Sequence, residues 1–149
     1  MTPRIYSIVT PEDISNRVRD YSDRLKHNVP IEYTSANGDI KNLLCEYLRH
    51  KKNLNTDISK KIGEIYLTVV WAIEDEKNKK MLINPNISLS SYGFITKEQR
   101  HKFYDKIRSK FKLSTPNING YGSKPLYELC WFLYEHCISK EKKITEKKG

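Results

Sequence analysis

Apolar side chains recur every three or four residues along most of the chain, which is the spacing of one face of an α-helix. The clearest stripe lies between positions 58 and 73 and consists of Ile58, Ile62, Ile65, Tyr66, Val69, Val70 and Ile73. Its β-branched residues would also suit a strand, but its length and its spacing favour a helix. We therefore expect this segment to be the central helix of the core.

Two helices are predicted before this stripe. The first opens at Thr10, a good N-cap residue followed by proline and two acidic residues, and it stops before Pro30. The second runs from residue 39 to about residue 52, with inward apolar positions at helical spacing. The polar stretch 30–39 between them contains the turn dipeptide Asn37-Gly38, so we expect a loop there.

Two further helices are predicted after the stripe. Residues 78–93 are polar and contain proline and glycine, which predicts irregular backbone. Thr96, with Gln99 three residues on, is a capping-box pattern that predicts a fourth helix ending near Lys112. Pro125 then begins a fifth helix, which leads into a lysine-rich end.

The predicted architecture is all-α: a small single-domain bundle of about five helices over residues 1–138, with a basic, flexible tail over residues 139–149. A chain of 149 residues suits one domain of this kind. No long uncharged apolar run and no signal sequence are present, so we expect no membrane span and a cytoplasmic protein. Three cysteines without a CxxC pair fit reduced thiols in that compartment.

The net charge favours a polyanionic partner. Lysine and arginine outnumber aspartate and glutamate by 27 to 18, which gives a formal net charge of +9. Nucleic acid, either DNA or RNA, is the first class of partner that such a charge indicates. An AT-rich genome would also enrich lysine, so the distribution of the charge carries more weight than its sum.

Much of this charge lies on the predicted fourth helix. Its seven basic residues are accompanied by only two acidic ones, Glu98 and Asp105. Cationic side chains on two flanks of a helix can straddle phosphates and release counterions. We therefore predict that the helix binds nucleic acid through Lys97, Arg100, Lys102, Lys106, Arg108, Lys110 and Lys112. The alternative is a charged face that is simply solvated.

The predicted fifth helix is apolar on more than one face. One side is the natural core face, with Leu126, Leu129, Cys130, Leu133 and Cys137. Trp131 and Tyr134 fall on another side, and we predict that their rings stack on unpaired bases while tail lysines neutralise phosphates. The tail lysines in this prediction are Lys140, Lys142 and Lys143. Burial of the whole helix is the alternative, and an exposed aromatic face would also suit a protein–protein adaptor.

No signature of catalysis or of metal binding is present in the sequence. The four histidines are scattered, without an HExxH pattern or paired Cys/His spacing. The stretch 119–124 has two glycines and a lysine, but it lacks the preceding strand of a phosphate-binding loop. We therefore expect a non-enzymatic protein that needs no cofactor.

Three stretches resemble the late-transcription sigma factors of T-even-type bacteriophages. Residues 43–73 are similar to their amphipathic helix, polar link and following helix start. Residues 91–99 resemble their aromatic–glycine–aromatic step into a helix. Residues 123–143 resemble their proline–aromatic helix with a lysine-rich end.

This resemblance implies a helical domain equivalent to region 2 of bacterial sigma factors, docked on the clamp helices of host RNA polymerase. Residues 97–112 would be the helix that contacts the polymerase, although they are basic where that family has an acidic, glycine-containing motif. The aromatic segment that reads and opens a TATA-like promoter element would contain Tyr127, Trp131, Phe132 and Tyr134. The first hypothesis is therefore a small viral or phage transcription factor, and the second is an adaptor.

Overall fold

A computed structural model of the chain describes residues 8–111 and 120–138. Within them the α-helices are α1 (Pro11–Lys26), α2 (Tyr33–Lys51), α3 (Thr56–Lys77), α4 (Lys97–Phe111) and α5 (Leu126–Leu133). A 3-10 turn spans Leu89–Tyr92, and a π-helical turn over Tyr134–Ile138 extends α5. These residues contain no β-strand, only one antiparallel bridge between Ser88 and Pro125. The predicted all-α fold is confirmed, whereas the predicted tail lies outside the described residues.

Helix α3 forms the centre of the core, as its apolar stripe predicts. Helix α1 packs on α2, α2 packs on α3, and both α4 and α5 pack on α3. Six of the seven side chains in this stripe are at most 4% exposed, namely Ile62, Ile65, Tyr66, Val69, Val70 and Ile73. The Tyr66 hydroxyl donates a 2.5 Å hydrogen bond to the carbonyl of Ile83, which holds the irregular segment after α3 against this helix.

Helices α2 and α3 approach each other closely at Gly63. A Cβ atom at this position would lie 2.6 Å from Sγ of Cys45 and 3.1 Å from Cγ of Lys41. The Cys45 thiol donates a hydrogen bond of 3.1 Å to the carbonyl of Ser59 on α3. Glycine costs about 1 kcal/mol of helix propensity relative to alanine, and here it allows the two backbones to pack together.

The carboxylate of Asp39 links α1 to α2. It accepts hydrogen bonds from Nη1 of Arg17 at 2.5 Å and from the hydroxyl of Tyr21 at 2.7 Å. Burial raises the pKa of Asp39, but the two donors outweigh that effect, so its pKa lies below the ordinary value. The carboxylate is therefore charged over the whole physiological range.

The predicted loop over residues 30–39 is wrong, because α2 begins at Tyr33. Glu32 is its N-cap, and its carboxylate accepts from the backbone N–H groups of Thr34 and Ser35 at 3.2 and 2.6 Å. Glutamate is not among the preferred N-cap residues, so the usual start signal is missing from the sequence.

The predicted turn at Asn37-Gly38 is also wrong, because both residues lie inside α2. The side chain of Asn37 is buried and pairs with the backbone of the segment after α3. It donates to the carbonyl of Met81 at 2.8 Å and accepts from the N–H of Ile83 at 3.1 Å. These tertiary hydrogen bonds replace the local bonds through which asparagine favours a turn.

The first three helices each end at an asparagine in the left-handed conformation. The residues are Asn28, Asn53 and Asn78, with φ values of 60°, 52° and 54°. In each case the next N–H group donates to the carbonyl five residues earlier, which is the Schellman pattern. These bonds join Val29 to Arg24, Leu54 to Arg49 and Lys79 to Glu74, at 2.8, 2.9 and 3.2 Å.

Candidate nucleic-acid interface

Lys106, in the middle of the basic helix α4, is paired within the domain. Its Nζ binds the carboxylate of Asp75 and lies 3.7 Å from that of Glu76, both near the end of α3. The hydrogen bond to Asp75 raises the pKa of Lys106. This lysine therefore links α4 to α3, and a phosphate would have to compete with two carboxylates for it.

Two more predicted binding residues of α4 also have partners in the structure. Arg108 binds the carboxylate of Asp105 at 3.1 Å. Nζ of Lys110 lies 4.9 Å from the ring centroid of Trp71, which is 44% exposed on α3. Trp71 is not among the predicted binding residues, since it falls between the apolar positions of the α3 stripe.

Lys97 and Lys102 are exposed, and neither makes an ion pair or hydrogen bond with the parts of the chain that the structure describes. Arg100 is partly buried at the start of α4, where its Nη1 donates to two backbone carbonyls. The other lysines predicted to bind nucleic acid lie outside the described residues, so their role stays a prediction. They are Lys112, Lys140, Lys142 and Lys143.

Rings and ammonium groups meet where the end of α2 faces α5. We call this set the aromatic–basic surface, and it consists of Tyr47, Lys51, Lys52, Tyr127, Trp131 and Tyr134. Nζ of Lys52 lies 4.4 Å from the ring centroid of Trp131. The rings of Trp131 and Tyr134 are stacked, with centroids 5.6 Å apart and an angle of 28° between their planes.

Lys51 forms the second half of this surface. Its Nζ lies 5.3 Å from the ring centroid of Tyr47 and 5.6 Å from that of Tyr127. It also donates a hydrogen bond of 2.9 Å to the Tyr47 hydroxyl, and this bond raises the pKa of Lys51. The ammonium group therefore stays charged while it lies against two aromatic rings.

Burial divides α5 into a core side and a surface side. Four of the five predicted core residues are at most 1% exposed, and they are Leu126, Leu129, Cys130 and Leu133. The side chain of the fifth, Cys137, lies outside the described part of the structure. Tyr127, Trp131 and Tyr134 are instead half-buried, packed against the core at one edge and open to solvent at the other. The helix is thus central to the fold, and one aromatic face still reaches the surface.

Sequence reasoning found the rings of this surface but missed its two lysines. Lys51 and Lys52 lie at the end of α2, and nothing nearby in the sequence shows that α5 packs beside them. The one local signal is their position after the aromatic residue Tyr47, because a ring four residues before Lys51 lies on the same helix face.

The described residues contain neither a metal-binding cluster nor an activated thiol. No three histidine, cysteine, aspartate or glutamate side chains among them are grouped to hold a metal ion. Burial raises the pKa of the Cys45 and Cys130 thiols, which keeps both protonated and unreactive.

None of the helices in the described ranges combines the length and apolar character that crossing a membrane requires.

Comparison with models of protein families, with curated proteins and with solved structures finds no match to this chain. The function is therefore argued from the geometry of the aromatic–basic surface and from the charge of the chain.

Proposed function

We propose that this protein binds nucleic acid, without catalysing a reaction, through the aromatic–basic surface. The observation that carries the proposal is the stacked pair of Trp131 and Tyr134 with the ammonium of Lys52 against the indole. Sites for single-stranded nucleic acid combine rings that stack on bases with cations that neutralise the backbone. The net charge of +9 adds attraction at longer range.

The contact between Lys52 and Trp131 is weak enough for a base to replace it. A cation–π contact at a solvent-exposed site is worth about 0.5–1 kcal/mol. Stacking of a base on an aromatic side chain is worth about 1–3 kcal/mol. A base that displaces Lys52 from the indole therefore gains more than it loses, and the released ammonium is available to neutralise a phosphate beside that base.

The narrower proposal is that the nucleic acid is promoter DNA, bound together with host RNA polymerase in the cytoplasm of an infected cell. It is supported by the sequence resemblance to phage late-transcription sigma factors. In that resemblance the promoter-opening segment corresponds to the part of α5 that carries Trp131 and Tyr134.

Fluorescence anisotropy of labelled single-stranded and duplex DNA and RNA, measured at several salt concentrations, tests the proposal. We expect Trp131→Leu to weaken single-strand binding by about 2 kcal/mol, or roughly thirty-fold, because the ring on which the base stacks is lost and an apolar side chain is kept. Lys52→Gln should reduce the slope of log affinity against log salt by about 0.7, the value for one phosphate contact in a single strand.

The matched control is Lys26→Gln, which removes the same charge from an exposed position on α1. We expect this control to change affinity by less than about two-fold, since exposed charges beyond a Debye length are screened. Equal losses in Lys26→Gln and Lys52→Gln would show that affinity depends on net charge alone, and the proposed surface would then be wrong. Circular dichroism of each variant confirms that the fold is kept.

A protein–protein adaptor is the second candidate function. The partial exposure of Tyr127, Trp131 and Tyr134 favours it, because aromatic side chains are enriched in the cores of protein interfaces. Salt separates the two candidates, since nucleic-acid affinity falls steeply as salt rises. Binding of purified RNA polymerase that persists at high salt without DNA, together with no binding of DNA or RNA at low salt, would favour the adaptor.

A further inference from the structure

A cleft of about 110 Å³ lies at the start of α4, and it shares no residue with the aromatic–basic surface. It is lined by Lys97, Arg100, His101 and Tyr104, which follow helical spacing along one face. A water molecule takes up about 30 Å³ of liquid volume, so the cleft has room for a larger group than one water. None of the lining side chains that belong to the described residues is acidic, which favours an anion.

The guanidinium of Arg100 is held in place at one of its terminal nitrogens. Its Nη1 donates to the carbonyls of Phe94 and Ile95 at 3.3 and 2.6 Å. Its Nε and Nη2 atoms have no hydrogen-bond acceptor within residues 8–111 and 120–138, and this edge of a guanidinium can bind two phosphate oxygens at once. Gly122 leaves space for the side chain, because a Cβ there would lie 2.7 Å from Cδ of Arg100.

Tyr104 supplies a hydroxyl that has no partner in the fold. The residue is only 2% exposed, and its oxygen has no hydrogen bond to any described residue. Leaving a buried hydroxyl unpaired costs about 1–3 kcal/mol, so such a group calls for an explanation. Burial raises the pKa of Tyr104, and this outweighs the lowering by Arg100 and Arg108, so the hydroxyl keeps its proton and can donate.

We propose that this cleft is a phosphate-binding site. The Tyr104 hydroxyl donates to one phosphate oxygen, the free edge of Arg100 binds two others, and Lys97 at the rim supplies a further positive charge. The ligand is a phosphate group, either a free or terminal phosphate or a diester of a nucleic-acid backbone. The site rests on no contact with a base, so it can be confirmed or refuted independently of the aromatic–basic surface.

Titration of the ¹⁵N-labelled protein with inorganic phosphate, at an ionic strength held constant with sodium chloride, tests this site by NMR. We expect saturable shifts of the backbone amide signals of residues 97–104. Tyr104→Phe should weaken phosphate binding by about ten-fold, the effect of losing one hydrogen bond to a charged group. This variant should fold normally, because the hydroxyl that it removes has no partner in the domain.

Lys97→Gln should weaken phosphate binding by about three-fold, as expected for one exposed charge. Lys26→Gln on α1 removes the same charge elsewhere and should leave the affinity unchanged. An equal loss in these two variants, or an unchanged affinity in Tyr104→Phe, would overturn the proposal. So would shifts that spread over the whole protein and do not saturate.

Two oligonucleotides of one sequence, with a 5′-phosphate or a 5′-hydroxyl, then identify the source of the phosphate. Shifts at residues 97–104 with the first alone support a terminal phosphate, and shifts with both support the diester backbone. If inorganic phosphate and both oligonucleotides leave these signals unchanged, the cleft does not bind phosphate. That result would leave binding at Trp131 and Tyr134 to be measured separately.

Discussion

The buried amide of Asn37 links α2 to the segment that follows α3 through two hydrogen bonds. Replacing it with alanine removes the donor to the carbonyl of Met81 and the acceptor of the N–H of Ile83. Ile83 is fully buried, so its N–H loses its partner and cannot reach water, at a cost of about 1–3 kcal/mol. The Met81 carbonyl is partly exposed, so the loss of its hydrogen bond costs less free energy, since water can replace the amide.

Alanine also favours the helix over asparagine by about 0.7 kcal/mol, which offsets part of that loss. We therefore expect Asn37→Ala to lower the free energy of unfolding by about 1–3 kcal/mol, measured by urea unfolding followed by circular dichroism. Asn42→Ala is the matched control, because Asn42 is exposed on the same helix and reports helix propensity alone. A difference between the two variants below about 1 kcal/mol would refute the pairing of the Asn37 amide with buried backbone.

Three further predictions follow from the packing and the pKa shifts. Gly63→Ala should lose about 1–3 kcal/mol in the same urea assay because its Cβ meets the Cys45 sulphur, and gain about 1 kcal/mol of helix propensity. Adding Cys45→Ala removes that sulphur, so Gly63→Ala should be better tolerated in a Cys45→Ala background than in the parent chain. An equal effect in both backgrounds would contradict the close approach. Because the pKa of Asp39 is lowered in the fold, its charged carboxylate stabilises the protein above the unfolded pKa of about 3.9, and this stabilisation is lost as pH falls through the folded pKa. Asp39→Asn should therefore lose less stability between about pH 5 and pH 2 than the parent chain. Equal losses in the two proteins would contradict the lowered pKa. Iodoacetamide should modify Cys130 only after unfolding, because the thiol is completely buried and its pKa is raised. Mass spectrometry detects the modification, and rapid modification of the native protein would contradict this burial.

The sequence predicted the fold well where the signals were local. Apolar spacing identified the five helices and placed α3 at the centre, and the predicted N-cap at Thr10 and capping box at Thr96 are confirmed. The start of α2 was missed because Glu32 is an unusual cap and because the partners of Asn37 lie 44 and 46 residues away. A short stretch of sequence around Asn37 therefore cannot show that these hydrogen bonds form.

The candidate surfaces show the same division between local and distant signals. Composition pointed to the lysines of α4 and to the rings of α5, which are visible as runs in the sequence. That Lys106 binds Asp75, and that Lys52 lies against Trp131, depends on which helices pack side by side. Counting the basic residues of one helix therefore overestimates how many can bind an external ligand, because carboxylates of a neighbouring helix pair with some of them.

The asparagines that end α1, α2 and α3 bear on how the chain folds during synthesis. The hydrogen bonds that cap the C-terminus of each helix span at most five residues, so the position at which each helix ends does not depend on its packing against the others. The three helices also contact one another in chain order, and helical domains with such local contacts fold in microseconds to milliseconds. Synthesis is far slower, at about 5–20 residues per second. We therefore expect α1, α2 and α3 to associate on the ribosome first, so that α5 is released onto a partner that is already formed.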